Sequence, residues 1–216
     1  MIEADAFYVQ DDEDEFTATV ATAGPWSGHL QHGGPPSALL VRAAERAAGR
    51  DDVVALRAAV DFLSPVPVGP VTVRAEVAKP GRTALAVDAE LAAGGRAVLR
   101  ARVWLVRLVD DGPQVAADGD ADVVVPADSE GPPLRWTFPY ACHLEWRVAG
   151  GDAEGPGPAS VWARQRVPLV AGEAPSAMQR VLVAADSGSG VSAVLDWDAW
   201  SFVNLDLDVH LLRPAC

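Results

Sequence analysis

The sequence is poor in lysine and cysteine, and each shortage narrows the classes of protein to consider. Its only lysine is Lys79, and the net charge of the 216 residues is −13 at pH 7. Binding to nucleic-acid phosphates requires clustered lysine and arginine side chains, so a nucleic-acid partner is disfavoured. The two cysteines, Cys142 and Cys216, are too few for a disulfide framework. Cys142 lies among aromatic residues, which favours a small buried apolar role over that of a nucleophile.

Metal-ligand spacing and long apolar runs are also missing. The four histidines do not have the spacing of zinc ligands, so neither a metal nor a cofactor is predicted. No apolar stretch approaches the roughly 20 residues that cross a bilayer. Residues 1–10 contain no basic region followed by an apolar run, which is the pattern of a signal peptide. We therefore expect a cytoplasmic protein without a membrane span.

The first half of the chain has the pattern of one helix beside a sheet. A strand is predicted over 16–21, and prolines followed by apolar residues at helical spacing predict a helix over 36–48. Alternating apolar and polar residues and glycine-containing turns then predict four antiparallel strands, over 53–63, 70–79, 83–92 and 96–109. A sheet of this length must curl around the helix to bury the apolar faces of both.

The second half repeats this order incompletely. Residues 110–133 are rich in glycine, proline and aspartate and are interpreted as a linker. Beyond them we predict strands over 143–148 and 160–168, a helix over 175–186 and a strand over 200–212. In that last strand, five aliphatic residues alternate with a polar face that includes Asn204 and Asp206.

Short matches support a duplication. The triplet PSA occurs at 36–38 and 175–177, at the start of each helix, and VDFLSP at 60–65 resembles VHLLRP at 209–214. The predicted units are residues 1–109 and 134–216. By analogy with the first unit, the second lacks roughly 40 residues of strands and turns, so we expect it to be truncated.

Three segments resemble a known family. They are LQHGGPPSAL at 30–39, WSFVNLDL at 200–207, and WAR at 162–164 with VLVAAD at 181–186. In this order and spacing they are similar to the acyl-CoA thioesterase II family, especially its actinobacterial members. The resemblance implies an α+β double hotdog fold, in which two antiparallel sheets each curl around a central helix. It also implies hydrolysis of acyl-CoA to a fatty acid and CoA.

The resemblance places the catalytic aspartate of the family at Asp186 and its hydroxyl or amide residue at Asn204. The family's glutamine would lie in the segment expected to be missing. Asp186 would accept a proton from a water that the amide of Asn204 orients. The alternative for Asp186 is a turn residue that satisfies local backbone. The alternative for Asn204 is an exposed polar face shared with Asp206.

Other residues are candidates for binding the substrate. The backbone N–H groups of Gly33 and Gly34 precede a helix and could polarise a carbonyl, although a tight turn explains the glycines equally well. Trp200 is a candidate for an acyl tunnel, together with Trp26, Trp162 and Trp197, and Asp206 for a supporting contact. In the first unit, Glu45 takes the place of Asp186, so we interpret the site of the first unit as degenerate and its helix as structural.

Three functions remain open. The leading hypothesis is an acyl-CoA thioesterase that acts on a medium or longer acyl chain. A second is a non-catalytic protein that binds acyl-CoA or lipid, and a third is an enoyl-CoA hydratase. The third ranks last because the sequence has no Asp-x-x-x-x-His pairing. The exposed sheet edges of hotdog units also lead us to expect a homo-oligomer.

Overall fold

A computed structural model describes residues 4–109, 132–153, 155–196 and 199–212. Most of the predicted linker lies outside the described residues, as do Trp197 and Cys216, so the division into units at 109 and 134 stays a prediction. The strands and helices in chain order are β1 (Tyr8–Gln10), β2 (Glu15–Ala18), α1 (Gly34–Ala48), β3 (Val53–Phe62), β4 (Pro70–Lys79), β5 (Ala84–Ala93), β6 (Arg96–Arg107), α2 (Pro139–Cys142), β7 (Leu144–Gly151), β8 (Ala159–Gln165), α3 (Ala177–Ala185), α4 (Gly188–Val191) and β9 (Asp206–His210).

Helix α1 is the central element of the first unit, and the sequence prediction of a helix over 36–48 is confirmed. Prolines occupy its first turn, where a missing N–H costs nothing, and Gly49 ends it with a left-handed φ of 60°. Leu39, Leu40 and Val41 are completely buried. Their burial against the sheet, more than helix propensity, accounts for most of the stability of this helix.

A seven-stranded antiparallel sheet surrounds α1, in the order β1-β2-β4-β5-β6-β3-β9. The four strands predicted between 53 and 109 are confirmed, with ends shifted by at most two residues. Strand β9, from the second half of the chain, pairs antiparallel with β3 and places Leu207 opposite Val60. The two halves of the chain therefore share one sheet, while β7 and β8 form a separate two-stranded sheet.

Helices α1 and α3 pack side by side with opposite ends together. A Cβ atom on Gly34 would lie 2.2 Å from the carbonyl oxygen of Val183, so glycine is needed for this close approach. At the other end, the hydroxyl of Ser176 at the N-cap of α3 donates to Glu45. The start of α1 consequently lies beside the end of α3, and the end of α1 beside the start of α3.

The prediction of a continuous strand over 200–212 is wrong in its first half. Only Asp206–His210 is a strand, because the ladder with β3 spans these residues and β3 ends at Phe62, whose N–H donates to the carbonyl oxygen of Leu205. Val203 and Leu205 are more than 70% exposed, with values of 73% and 77%. The apolar alternation in 200–205 therefore does not build a sheet face.

Three smaller features also differ from the predictions. Cys142 is exposed, not buried, because it ends the short helix α2 at the surface. The predicted strand over 16–21 ends at Ala18 and gives way to a 3-10 turn over Val20–Thr22. Strand β1 was not predicted. Within the described residues, no helix is long and apolar enough to cross a bilayer.

Candidate active site

A cavity of about 470 Å³ lies where α1 begins and α3 ends. Its walls come from the loop before α1, the end of β3, the segment before α2, and residues 201–205. The polar lining includes His32, Asp186, Ser187 and Asn204, whereas most of the remaining wall is apolar or aromatic. A mainly apolar cavity with a few convergent polar groups is the usual form of a small-molecule site.

Asp186 is the centre of the polar cluster. It forms the C-cap of α3, and its side chain is 9% exposed. Its Oδ1 accepts a 2.6 Å hydrogen bond from Nδ2 of Asn204, and its Oδ2 lies 3.2 Å from Nδ1 of His32. The charge-assisted hydrogen bond from Asn204 fixes the orientation of this carboxylate.

The start of α1 adds a second favourable field at this carboxylate. A Cβ atom on Gly33 would lie 2.7 Å from Oδ2 of Asp186, so the backbone there directly adjoins the carboxylate. The positive end of a helix dipole stabilises an anion. Pro35 and Pro36 have no N–H, which leaves the N–H groups of Gly33 and Gly34 as the donors at this helix end.

His32 is held firmly beside Asp186. Its ring stacks on Tyr140 with a 3.8 Å centroid distance and an interplanar angle of 3°. The hydroxyl of Tyr140 donates to the carbonyl oxygen of Val183 at 2.5 Å and lies 3.0 Å from Oγ of Ser187. Burial lowers the pKa of His32, an effect that Asp186 partly opposes, so the imidazole is neutral at pH 7.

The contacts of His32 favour one tautomer. Its Nδ1 lies 3.2 Å both from Oδ2 of Asp186 and from the backbone nitrogen of Gly34. The backbone N–H of Gly34 donates to this nitrogen, so in the neutral ring Nδ1 carries the lone pair. Nε2 then carries the proton, 3.5 Å from Oγ of Ser187.

The structure brings some of the predicted site residues together and separates others. Asp186, Asn204 and Gly33 line the cavity, and Gly34 follows directly. Trp200 is 62% exposed, and neither it nor Asp206, at the exposed start of β9, belongs to the described cavity lining. The binding roles of Trp200 and Asp206 stay predictions. Among the other tryptophans, Trp26 lines the cavity, whereas Trp162 lines a different cleft.

His32, Tyr140 and Ser187 also belong to the site, although the sequence alone did not single them out. One signal was available for His32, since it directly precedes the two glycines at the start of α1. Tyr140 and Ser187 carried no comparable pattern, because their roles depend on contacts with His32. No group of three potential metal ligands occurs in the part of the chain that the structure describes.

Family models cover both halves of the chain. Residues 22–106 match the model of the acyl-CoA thioesterase N-terminal domain. Residues 110–216 match the model of the acyl-CoA thioesterase C-terminal domain. No curated protein sequence matches the chain.

Solved structures share its fold at low sequence identity. A candidate thioesterase from Novosphingobium aromaticivorans is 22% identical with a TM-score of 0.70, and the match covers 98% of this chain and 83% of that one. A hot dog protein of unknown function from Alicyclobacillus acidocaldarius is 18% identical with a TM-score of 0.70, covering 98% and 78%. An acyl-CoA thioesterase II from Mycobacterium marinum is 13% identical with a TM-score of 0.61, covering 95% and 76%.

The structural matches confirm the predicted α+β double hotdog fold. The two family models follow one another along the chain, in the order predicted for two units. This chain belongs to the acyl-CoA thioesterase family and is a thioesterase.

Proposed function

We propose that the protein hydrolyses acyl-CoA thioesters to a carboxylic acid and CoA with a water molecule activated at Asp186. The observation that carries the proposal is the placement of this carboxylate. It lies in the wall of a largely apolar cavity, held by Asn204 and His32 at the start of α1. An apolar cavity suits the acyl group, and a buried, fixed carboxylate suits proton abstraction from water.

Asp186 supplies the base. Each carboxylate oxygen has two lone pairs, so the contacts with Asn204 and His32 leave room for a water hydrogen. Because its amide nitrogen already donates to Asp186, Asn204 orients the base. Its Oδ1 accepts from Oγ of Ser189 at 3.4 Å and has a second lone pair for the same water. This division of roles refines the expectation that Asn204 only orients water.

The start of α1 supplies the donors for the developing oxyanion. The N–H of Gly33, in the cavity lining, would bind the thioester oxygen, because the N–H of Gly34 donates to Nδ1 of His32. Backbone donors at a helix start need no reorganisation during the reaction, and this preorganisation is what stabilises a tetrahedral intermediate. No nucleophilic side chain is required.

Release of free thiol from acyl-CoA tests the proposal. We expect the wild-type chain to release CoA and Asp186→Asn to lose about 10²- to 10⁴-fold in kcat, the usual contribution of general base catalysis. Asp208→Asn is the matched control, since Asp208 lies on the exposed face of β9 and contacts Arg57. Equal turnover by Asp186→Asn and the wild type would contradict the assignment of the base.

The His32–Asp186 pair also favours a second candidate, the hydration of an enoyl-CoA. A carboxylate and an imidazole at 3.2 Å can add water to a conjugated double bond, and here tertiary structure forms the pair that the sequence spacing did not show. With crotonyl-CoA as substrate, loss of the conjugated double bond without release of thiol would favour hydration. Release of thiol with the double bond retained favours hydrolysis. Binding with neither reaction would favour the non-catalytic alternative.

A further inference from the structure

We infer that the acyl group of the substrate carries an aromatic ring, as in an arylacetyl thioester. The inference rests on the proposed hydrolysis of acyl-CoA and narrows the expected medium or longer acyl chain to a ring-bearing one. Aromatic residues make up 6% of the sequence. Five of them nevertheless lie in the described lining of this one cavity: Trp26, Phe62, Trp136, Phe138 and Phe202.

The rings come from separate parts of the chain. Trp26, from the loop before α1, meets Phe202 edge to face, with centroids 5.3 Å apart and an interplanar angle of 76°. Trp136 and Phe138, from the segment before α2, form a second pair at 5.6 Å and 33°. Four sequence-distant segments therefore converge on one space, once Phe62 at the end of β3 is included.

Phe62 connects this aromatic wall to the reacting groups. Its ring lies 2.7 Å from the position that a Cβ atom of Gly33 would occupy, and Oδ2 of Asp186 lies at the same distance from that position. A thioester carbonyl placed at the start of α1 would therefore touch the ring of Phe62. An acyl group extending from that carbonyl would next meet the aromatic pairs.

The aromatic side chains of the lining discriminate between acyl groups better than the volume of the cavity does. A cavity of about 470 Å³ has room for roughly 15 non-hydrogen atoms at about 30 Å³ each, so linear and ring-bearing acyl groups of medium length both fit. Aromatic walls give a bound ring edge-to-face and offset contacts that an alkyl chain does not make. A ring also loses less conformational freedom than an alkyl chain when it is ordered.

Three thioesters with eight acyl carbons test this preference: phenylacetyl-CoA, cyclohexylacetyl-CoA and octanoyl-CoA. We expect kcat/KM for phenylacetyl-CoA to exceed that for octanoyl-CoA by at least about tenfold, equivalent to about 1.4 kcal/mol. Cyclohexylacetyl-CoA has a similar shape without the aromatic π system, and we expect an intermediate value. A kcat/KM for octanoyl-CoA equal to or above that for phenylacetyl-CoA would overturn the inference while leaving hydrolysis intact.

Variants locate the preference in the cavity. Trp26→Leu and Phe202→Leu should each reduce the ratio of phenylacetyl-CoA to octanoyl-CoA turnover several-fold. Trp104→Leu is the control, because Trp104 is on β6, where Lys79 lies 5.4 Å from its ring centroid. An unchanged ratio in both cavity variants would contradict the role of these rings.

A binding measurement separates failure of this inference from failure of the proposed function. If none of the three thioesters releases thiol, hydrolysis is refuted, and the dissociation constants of phenylacetyl-CoA and octanoyl-CoA then decide the inference. Quenching of tryptophan fluorescence measures both constants. At least about tenfold tighter binding of phenylacetyl-CoA would sustain the aromatic preference, and equal affinities would refute it.

Discussion

Each end of the α1–α3 pair has a carboxylate that accepts from an amide, but the two carboxylates differ in their surroundings. At one end, the amide of Asn204 donates to Asp186 at 2.6 Å, and at the other the amide of Gln179 donates to Glu45 at 2.6 Å. The first carboxylate adjoins a largely apolar cavity. The second also accepts from Ser176, and so links the end of α1 to the cap of α3.

The contacts of the two carboxylates account for the difference between the two ends. Burial raises the pKa of Glu45, and the hydrogen bonds from Ser176 and Gln179 oppose this rise only in part. Asp186 ends α3 beside the start of α1, and Glu45 is near the end of α1 beside the start of α3, so the helix dipoles act alike at the two ends. A pair of packed helices thus provides one end suited to an active carboxylate and one suited to a structural contact. The interpretation of Glu45 as a degenerate site stays a prediction.

The largest effect on the free energy of unfolding is expected where α1 and α3 touch at the end that contains Asp186, called the active end. In Gly34→Ala, the new Cβ would lie 2.2 Å from the carbonyl oxygen of Val183, and neither backbone can move without separating the helices. We expect a loss of about 3 kcal/mol in the free energy of unfolding, measured by urea denaturation. Gly28→Ala is the control, since a Cβ there meets nothing within 4 Å. Equal stability of the two variants would refute the close packing.

The two amide donors give the sharpest functional contrast. Asn204→Ala should lower kcat about 10²-fold, because the base loses the donor that orients it. Gln179→Ala should leave kcat unchanged and cost about 1–2 kcal/mol of stability, because the carboxylate of Glu45 loses a partner. Turnover and urea denaturation of both variants decide the matter. A fall in kcat for Gln179→Ala would show that the two ends are not separate in function.

A third contrast is between Arg42 and Arg46, which bind the same carboxylate near the other end of the helix pair. Arg42, 5% exposed, makes two hydrogen bonds to Glu173, at 2.7 and 2.6 Å, and together with Arg46 it lowers the pKa of that carboxyl. Arg46 contacts the same carboxylate at 2.7 Å but is 60% exposed. We expect Arg42→Ala to lower the free energy of unfolding by about 2 kcal/mol, because Arg42 is buried while Glu173 is partly exposed. Arg46→Ala should lower it by less than about 1 kcal/mol, because Arg46 is exposed. Similar losses in thermal or urea denaturation would contradict this order.

The smallest effect is the pH dependence of the free energy of unfolding that His32 causes at the active end. The pKa of His32 is lowered in the folded protein, so below its ordinary value of 6.5 the unfolded chain takes up this proton first. The contribution of neutral His32 to the free energy of unfolding is therefore complete above about pH 6.5. It is lost as the pH falls below this value, by at most about 1.4 kcal/mol per pH unit. His32→Gln should flatten this part of the pH dependence of urea denaturation. An unchanged slope would show that His32 titrates normally in the folded state.

Local patterns predicted the first unit well. Prolines and Gly49 bound α1 by their backbone geometry, which no distant contact alters. Strands β4, β5 and β6 follow one another through short turns, so their pairing depends on neighbouring residues and is visible as alternation. The apolar alternation of 200–205 misled the prediction, because a strand also needs a partner edge and β3 ends at Phe62, whose N–H bonds the carbonyl of Leu205.

The sequence by itself determined the elements of the first unit and, through resemblance to a family, directed attention to Asp186 and Asn204. Only the tertiary structure decided that Asn204 binds Asp186 directly, that His32 pairs with Asp186 and stacks on Tyr140, and that aromatic rings from four segments line the cavity. The physical reason is one of range. Helix ends and hairpins are set by neighbouring residues, whereas the site forms only where the packing of α1 on α3 brings distant side chains within hydrogen-bond distance.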